Sequence, residues 1–349
     1  MRSVALSVFL TAGIAVGGWF FFAQERGAAR RASQETLAAI ADLKVGQIAG
    51  WMEERRADAE TALHNRSAGL FLADPLDEGL REEVLQWMTT VQRNYRYSAA
   101  ALFDARGSML LVVPAGAPLQ HPQITPEVQT ALRGRGVTVT PLHRHGTDPA
   151  VYLGLWIPIG VTPDADGPAE GVVLLQVDPS QFLYPLVQSW PTPSRTAETL
   201  LVRRDGDDVV FLNELRHRKG TALTLRLSMS TPLLPAADAV RGVETVMEGR
   251  DYRGVPVLAA TRSIPGTPWF MVATVDQEEI DGPLRHEAAV IVVIVVALVT
   301  VVALVAAVLW RQRALAVARR ELAERRRAAE ALEAEKSVSD RLADELRDH

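Results

Sequence analysis

The sequence predicts an α+β fold: two tandem modules of antiparallel sheet on one long N-terminal helix, set between two apolar helices and followed by a helical tail. Three observations predict it. Two uncharged apolar runs, 3–23 and 288–310, bracket ordinary globular sequence. Between them the order hairpin, helix, long strand, strand, helix occurs twice. After the second run no Gly or Pro occurs to the end of the chain.

The apolar runs hold 21 and 23 residues. Each can cross a hydrocarbon core of about 30 Å at about 1.5 Å per residue. The first reads as an uncleaved anchor rather than a signal peptide: it is too long, only Arg2 precedes it, and Phe21 would fall where a cut after Ala23 needs a small residue. Trp19, Phe20, Phe21, Phe22 and Trp310 suit membrane interfaces. Residues 311–327 carry seven Arg against two Glu, and 25–31 three Arg against one Glu. The stronger basic cluster belongs in the cytoplasm, next to anionic membrane lipid. The expected topology is two-pass, with both termini cytoplasmic and 24–287 outside. In a Gram-negative cell that means the inner membrane and the periplasm.

The net charge of −5, with no basic run away from the membrane flank, argues against nucleic acid as a partner. With no Cys in the chain, the outside segment does not rely on disulfides.

Residues 33–66 read as one helix, with Leu37, Ile40, Ile48, Trp51 and Leu63 at helical spacing. Gly46 and Gly50 each weaken it by about 1 kcal/mol. A second helix spans 77–93. Strands at 97–103 and 108–113 flank Asp104-Ala105-Arg106-Gly107, a turn with Asp first and Gly last. A helix at 126–133, strands at 136–141, 150–158 and 170–177, and a helix opened by Asp178-Pro179 complete the first module. The second repeats the order: strands 199–203 and 209–212 around Asp205-Gly206-Asp207-Asp208, a helix at 234–240, and strands at 243–248, 254–263 and 268–275. Asp276 and Glu279 have the spacing of a capping box at the next helix start. In both modules the last strand ends in Val-Asp, with an apolar anchor, Phe182 or Ile280, four residues after the Asp. The expected domains are 1–23, 24–95, 96–190, 191–287, 288–310 and 311–349.

This arrangement resembles the double Cache sensor family, in which two PAS-like modules share an N-terminal helix. The stretches that carry the resemblance are Leu43-Lys44-Val45-Gly46-Gln47-Ile48 with Trp51, 200–217 (LLVRRDGDDVVFLNELRH) and 249–268 (GRDYRGVPVLAATRSIPGTP). They look like the outside portions of bacterial sensor histidine kinases and diguanylate cyclases. The resemblance implies sensing of a small-molecule ligand outside the membrane, usually by the membrane-distal module. The amino-acid-binding signature of some members (Tyr, a spaced Arg, then Trp-Tyr) is absent.

The strand 151–158 offers the best candidate site. Its even positions, Tyr152, Gly154, Trp156 and Pro158, put two aromatics around a Gly on one face, which suits either a concave ligand site or a half-buried aromatic face. Ala99 and Ala101 leave room beside it. Arg93, Arg96 and Tyr97 stand where the first strand begins, a place for anion recognition or for solvated charge. His143 and His145 share a strand face, but a metal site needs further ligands, with His121 one candidate; a polar loop is the better reading, as it is for 162–170. No metal and no cofactor are expected. His286-Glu287 sits at the outer mouth of the second span, far from cytoplasmic ATP. No P-loop or kinase motif occurs, so the chain is not read as an enzyme.

Leu315, Leu322 and Ala329 repeat at seven residues and Leu332, Leu342 and Leu346 resume after a slip, the pattern of a short imperfect coiled coil or, as the plainer reading, of a single solvated helix. A coiled coil implies a homodimer feeding a cytoplasmic kinase or cyclase output. The alternative is a membrane-anchored module that recognises a periplasmic protein.

Overall fold

A computed structural model describes all residues except 1, 64, 118, 120–125, 135, 146–147, 161–168 and 346–349. The chain divides into two units: Met1–Arg30 with Asp281–His349, and Arg31–Ile280.

The first unit is helical. It contains the start of α1 (Arg2–Ala62) and nearly all of α7 (Gln277–Glu345). Gly18 lets the two helices approach: a Cβ there would lie 3.1 Å from Val295 Cγ2. Arg30 Nη2 pairs with Asp281 at 3.5 Å. Among the described residues one helical segment, Ala289–Ala331, is long and apolar enough to cross a membrane.

The second unit is built on the rest of α1. Leu37, Ala41, Lys44, Ile48, Trp51, Met52, Ala59 and Ala62 are buried at helical spacing, so one stripe of α1 faces the core. Each fully buried Leu or Ile on that stripe contributes roughly 1.5–3 kcal/mol. The helix ends at Ala62, short of the expected 66. Asn65 starts a new helix, α2 (Arg66–Ala73), by accepting from Ala68 N at 2.8 Å. The local side-chain acceptor offers the exposed N–H groups of a helix start a partner. Asp77 does the same for α3 (Glu78–Asn94) through Gly79 N and Leu80 N.

The first sheet contains β1 (Ala99–Asp104), β2 (Met109–Val113), β3 (Thr138–Val139), β4 (His143–Arg144), β5 (Val151–Ile159) and β6 (Gly171–Val177), in the order β2-β1-β6-β5-β3 with β4 beside β5. α4 (Pro126–Arg133) precedes β3, and a 3-10 turn (Pro179–Gln181) leads from β6 into α5 (Leu183–Gln188). At the β1–β2 turn Asp104 Oδ1 accepts from Arg106 N and Ser108 N, and Gly107 takes φ 82°. The second sheet contains β7 (Glu198–Asp205), β8 (Asp208–Phe211), β9 (Arg226–Ser228), β10 (Val246–Arg250), β11 (Pro256–Ser263) and β12 (Phe270–Asp276), with α6 (Pro235–Val240) between β9 and β10. Its order is β10-β11-β12-β7-β8-β9. All pairings in both sheets are antiparallel.

The repeat read from sequence is a repeat of topology. Read from the second hairpin strand inward, β2-β1-β6-β5-β3 and β8-β7-β12-β11-β10 follow one rule. The registers agree as well: Ala99 faces Gln176, which faces Gly154, and Glu198 faces Thr274, which faces Ala259. Both sheets give one face to the core shared with α1, through Leu102, Leu155 and Leu175 in the first and Leu201, Leu258 and Met271 in the second. The opposite faces carry separate smaller clusters.

The expected capping box at α7 is not formed. Asp276 Oδ1 accepts from Arg253 Nη2, and Asp276 N donates to Thr196 Oγ1. Glu279 instead accepts from Ser194 Oγ, Arg195 N and both the N–H and the hydroxyl of Thr196. A loop brought close by the fold supplied better donors than the helix's own first turn.

Candidate functional site

The alternation of β5 separates its side chains. Val151, Leu153, Leu155, Ile157 and Ile159 enter the core shared with α1. Trp156 goes the other way, into a cluster with Ala101, Phe103, Ala131, Val172 and Leu174, and its ring lies 5.7 Å from that of Phe103. α4 covers this face through Ala131 and Leu132.

Gly154 is at the centre. An added Cβ would lie 2.6 Å from Thr140 Oγ1, 3.0 Å from Leu174 Cδ1 and 3.2 Å from Trp156 Nε1. Thr140 Oγ1 accepts from Gly154 N at 3.0 Å, locking the 140 segment against β5. Across the sheet Gly154 faces Gln176, 2% exposed, the only polar side chain in β6. The Gln176 side chain meets the His145 ring as its hydrogen-bonding neighbour, while Trp156 Nε1 has no partner among the described residues. A buried amide, indole N–H or imidazole left unmatched costs on the order of 1–3 kcal/mol. The indole N–H of Trp156, 3.2 Å from where a Cβ of residue 154 would stand, is such a group.

His145 packs on Tyr152 with ring centroids 4.8 Å apart and meets His143 edge-on at 4.8 Å. Burial, then the neighbouring His143, lower its pKa, opposed by the Gln176 amide beside it. His143 Nδ1 donates to the Pro141 carbonyl at 2.8 Å. Tyr152 donates its hydroxyl to Asp148 Oδ2 at 3.0 Å. Burial and this carboxylate push Tyr152 up to about 12. Bonds from Ala150 N and Tyr152 hold Asp148 below its ordinary value. No group of three or more metal-ligating side chains forms among the described residues, and His121 and most of 162–170 lie outside them.

Of the five candidate residues, Tyr152 and Trp156 share this face. Tyr97 does not join them: its ring is buried in the α1 core with the Arg55 guanidinium 5.7 Å from its centre. Arg93 and Arg96 are exposed at the connection from α3 to β1, where Arg96 takes φ 57°. Sequence reasoning missed Gln176, Thr140 and the packing of His145. Gln176 had a legible signal, since it is the one polar residue in GVVLLQV and falls in step with Val172 and Leu174. The other two depend on a loop returning to β5.

The second sheet fills the corresponding position. Glu198 stands where the first sheet has Ala99, and its Oε2 accepts from Arg216 N at 3.0 Å. Burial raises its pKa, against the Arg216 and Tyr252 bonds. Nearby, Arg253 bridges Asp251 and Asp276, both at 2.5 Å, tying the β10–β11 turn to the residue that precedes α7.

Compared with solved structures, the chain is similar to the sensory domain of the Campylobacter jejuni chemoreceptor Tlp3, at TM-score 0.52 and 13% identity, over 73% of this chain and 98% of that one. This chain has the fold of a chemoreceptor sensory domain. The same Tlp3 domain with isoleucine bound matches at TM-score 0.52 and 13% identity, over 73% and 97% of the two chains. Its complex with 4-methylisoleucine matches at 0.51 and 12%, over 72% and 94%. The double Cache resemblance read from sequence therefore holds at the level of fold. No family model matches the chain, and no curated protein does.

Proposed function

We propose that this chain is the sensory input portion of a bacterial transmembrane receptor, binding a small ligand outside the membrane on the α4-covered face of the first sheet. The observation that supports this reading is the gathering of buried polar groups on this face: Gln176 opposite Gly154, His145 beside Gln176, and the unpartnered indole N–H of Trp156. Tyr152 and Trp156 supply the aromatic walls. Arg93 and Arg96 stand at the edge of the module, open to a ligand or to solvent.

The two apolar runs would cross the inner membrane, with 24–287 in the periplasm and both ends in the cytoplasm. The Arg excess at 311–327 supports that orientation. The tail would pair as a coiled coil in a homodimer and pass the signal to a cytoplasmic output. A ligand can shift such an equilibrium only by its differential affinity for the two states. Nothing in this role requires catalysis by the chain itself.

The test is a thermal-shift screen of residues 31–280 against carboxylates, amines, amino acids, sugars, uncharged heterocycles and divalent metals. A ligand at about 100 times its Kd adds about 2.7 kcal/mol. A reproducible rise in Tm that disappears in Trp156→Ala supports the reading. A flat screen on folded protein counts against it and turns attention to a periplasmic protein partner.

A further inference from the structure

A cavity of about 290 Å³ lies within the 31–280 unit, apart from the Gly154 face. Its lining comes from α1, the segment joining the two sheets, strands β11 and β12, and the first turn of α7. Leu37, Ile40 and Leu258 form its buried part. Val275, Ile280 and Trp190 line it as half-buried residues. The volume stands at the lower end for small-molecule sites, which run from about 300 Å³ upward.

Among the described lining residues Glu279 alone carries a charge. Its Oε1 accepts from Ser194 Oγ at 2.9 Å and Arg195 N at 3.1 Å. Its Oε2 accepts from Thr196 N at 2.9 Å and from the Thr196 hydroxyl. All four donors are neutral, so they fix the negative charge in place without cancelling it. Burial raises the pKa, but these bonds outweigh it and keep the carboxyl ionised at neutral pH. Arg31 and Arg195, next to lining residues in sequence, are exposed.

An apolar cup beside a fixed anion suits a cation with an apolar body. The same bonds select the kind of cation. A carboxylate has about four lone-pair sites, and those of Glu279 are occupied. The Ser194 hydroxyl is also committed, donating to Glu279 and accepting from Ala197 N. A primary ammonium would bring N–H groups out of water with too few acceptors to meet them. A quaternary ammonium has no N–H, and its methyl groups suit the aliphatic lining. Tryptophan is the best aromatic partner for such a charge, and Trp190 stands on the same lining.

We propose that this cavity binds a small quaternary ammonium ion, its methyl groups against Leu37, Ile40 and Trp190 and its charge beside Glu279. It is a second site, independent of the one on the first sheet. Its ligand would touch both α1 and the turn of α7 that Glu279 ties to the 194–196 loop.

The experiment is calorimetric titration of the full chain in maltoside detergent with tetramethylammonium, choline and phenyltrimethylammonium. The neutral isostere of choline, 3,3-dimethyl-1-butanol, is the comparison. Saturable binding of at least one of the cations is expected, with choline ahead of its isostere. Trp190→Leu and Glu279→Gln should each weaken binding about tenfold. Ala32→Phe, at an exposed lining position, should block the cavity and abolish binding while the protein still melts cooperatively. If Glu279→Gln fails to fold, the other two variants decide. Absence of saturable binding by all three cations would overturn the proposal. So would equal binding of choline and its isostere, or cation binding unchanged in both Trp190→Leu and Ala32→Phe.

Discussion

Lys44, buried on α1, donates to the Ser189 hydroxyl at 2.7 Å and to the carbonyls of Leu186 and Ser189. A helix of one unbroken stripe thus closes the C-terminal end of α5, where the chain passes from the first sheet to the second. Cations suit such ends, since the last carbonyls have no partner within the helix.

Burial lowers the Lys44 pKa from 10.5 to about 8. Between those values the unfolded chain holds a proton that the native state has released, so this residue makes stability rise with pH across that window. The buried tyrosines act oppositely and later: Tyr97, Tyr184 and Tyr252 are all pushed upward, so their contribution falls only once unfolded tyrosines ionise above about pH 10. Urea midpoints between about pH 8 and 10 should therefore climb in the wild type and flatten in Lys44→Met. A slope unchanged by the substitution would refute this account of Lys44.

Gly154→Ala places a methyl group 2.6 Å from Thr140 Oγ1. Thr140 is itself held by Gly154 N and cannot swing away without losing that bond. We expect a loss of about 1–3 kcal/mol, as for other overpacked sites, together with weakened ligand binding. Chemical denaturation and titration on one preparation check both.

Gly46 and Gly50 lie exposed within α1, and an added Cβ at either would meet nothing within 4 Å. Replacing each with Ala should stabilise the 31–280 unit by about 0.5–1 kcal/mol, because glycine loses more backbone freedom in a helix than alanine does. If that face packs against a second copy, the same changes will instead weaken association, which sedimentation would register.

Glu279 holds the 194–196 loop to the first turn of α7. Burial raises its pKa, but the bonds from Thr196, Arg195 and Ser194 outweigh it and hold the carboxyl below 4.5. A group lowered in this way stabilises the fold above its unfolded pKa, and the contribution disappears as pH falls through the folded one. Glu279→Ala should cost about 1–3 kcal/mol at neutral pH by stranding those donors. The deficit relative to wild type should shrink in acid melts.

The chain has no Cys, so single cysteines report topology without background. Ser108→Cys should react with an impermeant maleimide in intact cells, and Ser337→Cys should react only after lysis. The reverse pattern would invert the proposed orientation.

The sequence by itself determined the elements and their repetition. Period-3.6 burial on α1, alternation on β5, and Asp-first turns at Asp104 and Asp205 are local signals. They depend on which residues are neighbours along the chain, so one sequence is enough to read them. It also pointed to Tyr152, Gly154 and Trp156, because alternation puts them on one face. Only the tertiary structure decided the rest. It turned Tyr97 into the α1 core and left Arg93 and Arg96 exposed. It set Gln176 opposite Gly154, brought Thr140 and His145 back onto β5, and gave Glu279 to a distant loop instead of its own cap. Each outcome depends on sheet register or on a returning loop. A side chain's partners across strands are fixed by the packing of the whole unit, which leaves little trace in the order of residues along the chain.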